Sequence, residues 1–138
     1  IVRYHNIYGP NMGHEHVMPQ FIRKLTKNEE FSVEGDGTET RSFCFIDDAI
    51  NAIINSLKFS KGGIFNIGGK ESPNNLELIS IINEITGKNI APTHKNQESR
   101  ESNFILDNSL ANKRINYIPS IGIKNGLINH IESLRRSK

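Results

Sequence analysis

The 138-residue sequence has one cysteine, no tryptophan and no long hydrophobic run. A single thiol, Cys44, excludes an internal disulfide and any cysteine-based metal site, and it fits a reducing, cytoplasmic setting. No apolar stretch approaches the roughly 18 residues that a membrane-spanning helix needs, so no membrane partner is expected. The apolar first residues carry neither a basic leader nor a small-residue cleavage site, so no signal peptide is expected. Charge of one sign is also scarce in excess: 17 Lys and Arg against 15 Asp and Glu leave a formal net charge of +2. The cations are dispersed, apart from the terminal Arg135-Arg136-Ser137-Lys138, which suits the end of a helix. Without a basic stripe or aromatic stacking platforms, no nucleic acid is expected as a partner.

What is present patterns as one α/β domain over residues 1–138, with short strands and about five helices. Residues 1–8 read as a strand, broken by the Gly9-Pro10 turn. Pro19 suits the first turn of a helix whose apolar face is Met18, Phe21, Ile22 and Leu25. Residues 31–34 and 41–46 alternate like strands around Gly35-Asp36-Gly37, which suggests a hairpin. Asp47 or Asp48 is then placed to cap a helix whose buried stripe is Ile46, Ile50, Ile53, Ile54 and Leu57. Residues 64–67 form a short strand closed by Gly68-Gly69. Asn74 and Glu77 have the spacing of a capping box, ahead of a stripe of Leu78, Ile81, Ile82 and Ile85 and a stop at Gly87. Residues 89–93 suggest a further short strand, and 94–103 a polar loop. A short helix begins at Asp107 or Asn108, and a last one uses Ile123, Leu127, Ile131 and Leu134.

Few residues carry a chemical signal by themselves. Arg41 follows a Gly-rich turn and precedes a buried-looking run. A guanidinium there could grip a phosphate through two parallel hydrogen bonds, or it could pair with Asp36, Glu39 or Asp47. Arg100 lies in the polar loop beside Glu98 and Glu101 and reads as a solvated charge. His14, Glu15 and His16 lack a second cluster to complete a metal site. Asp47-Asp48 reads as a helix start before an acid–base pair. Cys44 between Phe43 and Phe45 reads as packing. Neither Gly35-x-Gly37 nor Gly68-Gly69 extends into the G-x-G-x-x-G dinucleotide signature.

Taken in order, however, these segments resemble a known family. Arg3-Tyr4-His5-Asn6-Ile7-Tyr8-Gly9-Pro10 resembles the R-x-x-N-V-Y-G-P segment of the extended short-chain dehydrogenase/reductase superfamily, the nucleotide-sugar epimerases and dehydratases. His16-Val17-Met18-Pro19-Gln20-Phe21-Ile22 is similar to its h-v-i-P-x-F-I segment. The run from Gly35 through Arg41 to Asp48 is similar to its G-D-G-x-Q-x-R-x-F-x-Y-V-D-D stretch. Phe65-Asn66-Ile67-Gly68 resembles its F-N-I-G strand, and Asn116-Tyr117-Ile118-Pro119 with Gly126-Leu127 its L-G-w-x-P … G-L ending.

The resemblance implies an enzyme whose N-terminal Rossmann part holds NAD and a Tyr-x-x-x-Lys pair, and whose C-terminal part grips the nucleotide diphosphate of a sugar. The present chain resembles the second part and has no Tyr-x-x-x-Lys. It is therefore expected to be the substrate-binding portion of such an enzyme, inactive alone, with no catalytic residue and no NAD of its own. The implied substrate-binding residues are Asn6, His16, Val17, Met18, Arg41 and Arg100. The expected partners are a nucleotide-diphosphate sugar, the missing N-terminal Rossmann portion and further copies of itself as a homo-oligomer. The alternative is a stand-alone nucleotide-sugar binding module without catalysis.

Overall fold

Asn6 breaks the first extended run in two. It adopts a left-handed backbone (φ 42°), a conformation that asparagine tolerates better than most residues. The chain therefore makes β1 (Val2–Tyr4) and β2 (Ile7–Tyr8) with different partners, rather than the continuous strand predicted over 1–8. The computed structural model describes residues 1–13, 15–30, 32–95 and 103–136. After β2 come α1 (Val17–Lys27), β3 (Ser32–Glu34), β4 (Cys44–Phe45), α2 (Ile46–Leu57), β5 (Phe65–Ile67), α3 (Asn75–Thr86), β6 (Thr93–Lys95), α4 (Ser109–Ile115) and α5 (Ile123–Arg136). This is the expected α/β class, with five helices and short parallel strands among the described residues.

The three strand pairs among the described residues are parallel: β1 with β5, β2 with β4, and β3 with β6. The predicted hairpin around Gly35-Asp36-Gly37 does not form. β3 turns instead to β6, and β4 to β2. The glycine turn is held locally, with the Asp36 carboxylate accepting from both the Thr38 N–H (2.9 Å) and its hydroxyl (2.7 Å). The sixth strand lies at Thr93–Lys95, later than the sequence suggests.

Two cores organise the helices. The larger joins α1, α3 and α5 through Met18, Ile22, Leu25, Leu78, Ile82, Leu127 and Ile131, with Tyr8 and Phe45 beneath them. Those are the stripes that the 3.6-residue period indicates, and truncating a fully buried leucine such as Leu25 or Leu127 to alanine costs about 2–5 kcal/mol. The smaller core sets Ala49 and Ala52 of α2 against Cys44, Phe65, Ile67, Ile115 and Tyr117. The capping box of α3 forms as its spacing implies: Asn74 Oδ1 accepts from the Glu77 N–H (2.8 Å), and Glu77 Oε2 accepts from the Asn74 N–H (2.9 Å). Gly87 ends that helix in the left-handed region (φ 68°).

Helix α2 departs most from the sequence reading. Its N-cap is Phe45, and neither Asp47 nor Asp48 caps it. The buried face is Asp48, Ala49 and Ala52, whereas Ile50, Ile53, Ile54 and Leu57 are exposed, Leu57 by 81%. Small side chains let α2 settle closely on β1, β2, β4 and α4. The larger apolar stripe is consequently left exposed among the described residues.

Candidate functional site

Arg41 owes its position to hydrogen bonds on both sides of its backbone. Its N–H donates to the Pro73 carbonyl (3.3 Å). On the other side, the Phe104 N–H donates to Thr40 O (3.0 Å), and the Ser42 N–H to Phe104 O (3.1 Å). The Ser42 hydroxyl accepts from the Leu106 N–H (2.9 Å) and meets the Ser72 hydroxyl (2.8 Å), so residues 40–42 are anchored to two other segments. The half-buried guanidinium donates from Nη1 to Thr40 O (3.3 Å) and from Nη2 to Glu39 Oε2 (3.1 Å). Of the ion-pair partners that the sequence left open, Glu39 is the one it meets.

Asn6 comes to the same place from the strand break. Its Nδ2 donates to Ser42 O (3.1 Å), and its own carbonyl accepts from the Cys44 N–H (3.1 Å). The neighbouring His5 Nδ1 also lies 2.9 Å from Ser42 O and 3.2 Å from Asn6 Nδ2. The His5 ring stacks on Phe104, with centroids 5.3 Å apart and planes at 14°.

The third contributor is the start of α1. His16 is the N-cap, no side chain caps it, and the first turn holds no acid. The N–H groups of Val17 and Met18 have no intrahelical carbonyl to bond, and the helix dipole favours an anion at this end.

Asn6, His16, Val17, Met18 and Arg41 all line one cleft of about 650 Å³. Met18 contributes wall and backbone, since its side chain is buried in the larger core. Arg100 lies outside the described residues. Glu39, Gln20, Phe43 and Asn75 also line the cleft and were not singled out as site residues. Gln20 sits one turn past the His16 cap, the signal that could have marked it. Asn75 arrives from α3, which nothing in the local sequence connects to Arg41.

A smaller hollow of about 420 Å³ is lined by Glu71 and Glu77 without a cation, and Glu71 is engaged at the start of α5, accepting from the Ile123 N–H (3.0 Å). Burial raises the Cys44 thiol above its usual range, and it lies 3.5 Å from the Tyr117 hydroxyl, which donates to Gly68 O (2.8 Å). No grouping of three or more metal-ligating side chains occurs among the described residues. The helix following β5 and Gly68-Gly69 is α3, and its N-terminus is closed by Asn74 and the Glu77 carboxylate, where a pyrophosphate would need free N–H groups. No helix among the described residues is long and apolar enough to cross a membrane.

Comparison with known proteins places this architecture. The NAD dependent epimerase/dehydratase family profile matches residues 1–68. The chain is 32% identical to a UDP-glucuronate 4-epimerase of Thermodesulfobacterium geofontis over 92% of its own length and 40% of that protein. It is 31% identical to a GDP-mannose 3,5-epimerase of Oryza sativa, over 91% of this chain and 34% of that one. Among solved structures, UDP-glucose 4-epimerase from Thermotoga maritima, determined with UDP-glucose, superposes with a TM-score of 0.89 at 27% identity, over 99% of this chain and 45% of that one. UDP-glucuronic acid 4-epimerase from Bacillus cereus, in complex with a fluorinated UDP-glucuronic acid and NAD, gives 0.89 at 28%, again over 99% and 45%. The chain thus spans less than half the length of the relatives it matches. Its ordered motifs, its parallel α/β fold and these likenesses together make it a member of the NAD-dependent epimerase/dehydratase family of the extended short-chain dehydrogenase/reductase superfamily.

Proposed function

We propose that this chain is the substrate-gripping portion of an NAD-dependent nucleotide-sugar epimerase or dehydratase, and that its cleft takes the nucleotide diphosphate. One observation carries the reading: an anchored arginine, an uncapped helix start and Asn6 converge on a single cleft of about 650 Å³. A diphosphate needs fixed cationic donors and outward-facing N–H groups, and Arg41 with the start of α1 supplies both kinds. Asn6 stands at the strand break, where it would meet the sugar end. His16, Val17 and Met18 would border the nucleotide, partly through backbone, and Arg100 would add a second cation to the phosphates.

In this reading NAD and the hydride and proton chemistry belong to residues outside the chain, which by itself is inactive. The apolar face of α2 supports a further docked portion. Ile50, Ile53, Ile54 and Leu57 leave a run of large apolar side chains exposed along one helix, and an exposed apolar patch marks an interaction surface.

The test is calorimetric titration of the intact gene product with UDP, GDP and dTDP and their sugars. Replacing Arg41 by alanine should cost roughly 1.5–3 kcal/mol of diphosphate binding, the scale of a charged hydrogen bond. An unchanged affinity removes Arg41 from the site.

A further inference from the structure

The Glu39–Arg41 ion pair lies inside the proposed binding cleft, and both partners line it. It differs from an ordinary surface pair. The two side chains are only 28% and 35% exposed, so water screens them incompletely, and the guanidinium beside Glu39 is the group that a diphosphate would need. Arg41 presents a planar fork of donors. Its Nη1 is turned to the Thr40 carbonyl and its Nη2 to the Glu39 carboxylate. A phosphate that engages Nη2 must take the place of that carboxylate or lie beside it, and placing like charges together is costly.

We propose that Glu39 is an internal competitor for the substrate's phosphates: its carboxylate holds the Arg41 guanidinium, and an incoming nucleotide diphosphate must displace it to bind. The inference rests on the reading of Arg41 as a diphosphate ligand. The geometry suits an exchange. The backbone around Glu39 is pinned by the Asp36–Thr38 turn on one side and by the Thr40–Phe104 hydrogen bond on the other. The glutamate side chain has three rotatable bonds of its own with which to swing clear. Arg41, anchored through its backbone, stays where the phosphate arrives. Glu39 is thus a positioning residue. It pairs with the guanidinium until ligand arrives, and it weakens ligand binding by the free energy of the contact that must be broken.

The experiment is a double-mutant cycle on the intact gene product. Affinity is measured by calorimetry for whichever of UDP, GDP and dTDP binds the wild type most tightly, and melting temperature is recorded in parallel. The expected result is that Glu39→Gln binds about tenfold more tightly than wild type at an unchanged melting temperature, and that the gain vanishes when Arg41 is already alanine. Equal or weaker binding by Glu39→Gln, with Arg41→Ala weakened, overturns the inference alone. An equal gain in the Arg41→Ala background also overturns it, because the carboxylate would then be repelling phosphate directly rather than occupying the arginine. Wild-type affinity in Arg41→Ala, or no binding of any of the three nucleotides, overturns the underlying reading and the inference with it.

Discussion

Asp48 of α2 holds Ser120 with both of its carboxylate oxygens. Each accepts from the Ser120 N–H at 3.1 Å; Oδ1 also accepts from the Ser120 hydroxyl (2.9 Å), and Oδ2 from the Ile121 N–H (3.0 Å). The carboxylate is buried, only 1% of the residue being exposed, and these donors take the place of water. Asp48 thereby ties the start of α2 to the turn that launches α5.

Removing that carboxylate should therefore be expensive. Asp48→Ala leaves the buried N–H groups without acceptors and should cost roughly 3 kcal/mol of stability in urea or thermal unfolding. Asp48→Asn should fall between it and wild type, because it keeps one oxygen but turns an amide toward donors. Wild-type stability in Asp48→Ala would show that the turn finds its acceptors elsewhere.

Gly126 leaves room for the Tyr8 hydroxyl. A Cβ at residue 126 would collide with that oxygen and come within 2.9 Å of Phe45 Cδ2. Gly126→Ala gains about 1 kcal/mol of helix propensity, yet it should be destabilised overall by about 1–2 kcal/mol through overpacking. Pairing it with Tyr8→Phe, which deletes the obstructing oxygen, should restore part of the loss. If Tyr8→Phe brings no recovery, the clash is not with the hydroxyl.

His130 gives the fold a defined acid sensitivity. It is fully buried on α5, and neither ring nitrogen has a hydrogen-bond partner among the described residues. Burial pushes its pKa below the ordinary histidine value; the nearby Gly9 backbone opposes the shift without reaching hydrogen-bonding geometry. The unfolded chain takes up a proton near pH 6.5, while the folded chain does so only at lower pH. Between those two values the unfolded state binds more protons, so this group's contribution is present in full above about pH 6.5 and is lost as pH falls toward the folded pKa. Melting temperature between pH 7.5 and 5 should fall less steeply in His130→Leu than in wild type. Parallel curves would remove His130 as a cause.

The exposed stripe of α2 should make residues 1–138, expressed alone, associate as concentration rises and bind an apolar dye. Ile53→Glu together with Ile54→Glu should suppress both, since these side chains are 42% and 45% exposed and their replacement disturbs no core. Static light scattering measures the first effect and dye fluorescence the second. A wild-type chain that stays monomeric and dark to the dye counts against the docking role of this face.

The sequence by itself determined the features that depend on near neighbours. The stripes of α1, α3 and α5, the Asn74–Glu77 box and the Gly87 stop all arise from residues within a few positions of one another, where helix geometry fixes who meets whom. The ordered motifs also named the family and five residues of the cleft. Only the tertiary structure decided which apolar face of α2 is covered, because the period finds both faces and cannot weigh two alanines that fit closely against four larger residues that do not. It also decided that β3 pairs with β6 rather than β4, and that of Asp36, Glu39 and Asp47 it is Glu39 that reaches Arg41's guanidinium. Parallel pairing joins segments far apart in the chain, and an ion pair depends on where two side chains finally lie. Neither leaves a mark in local spacing.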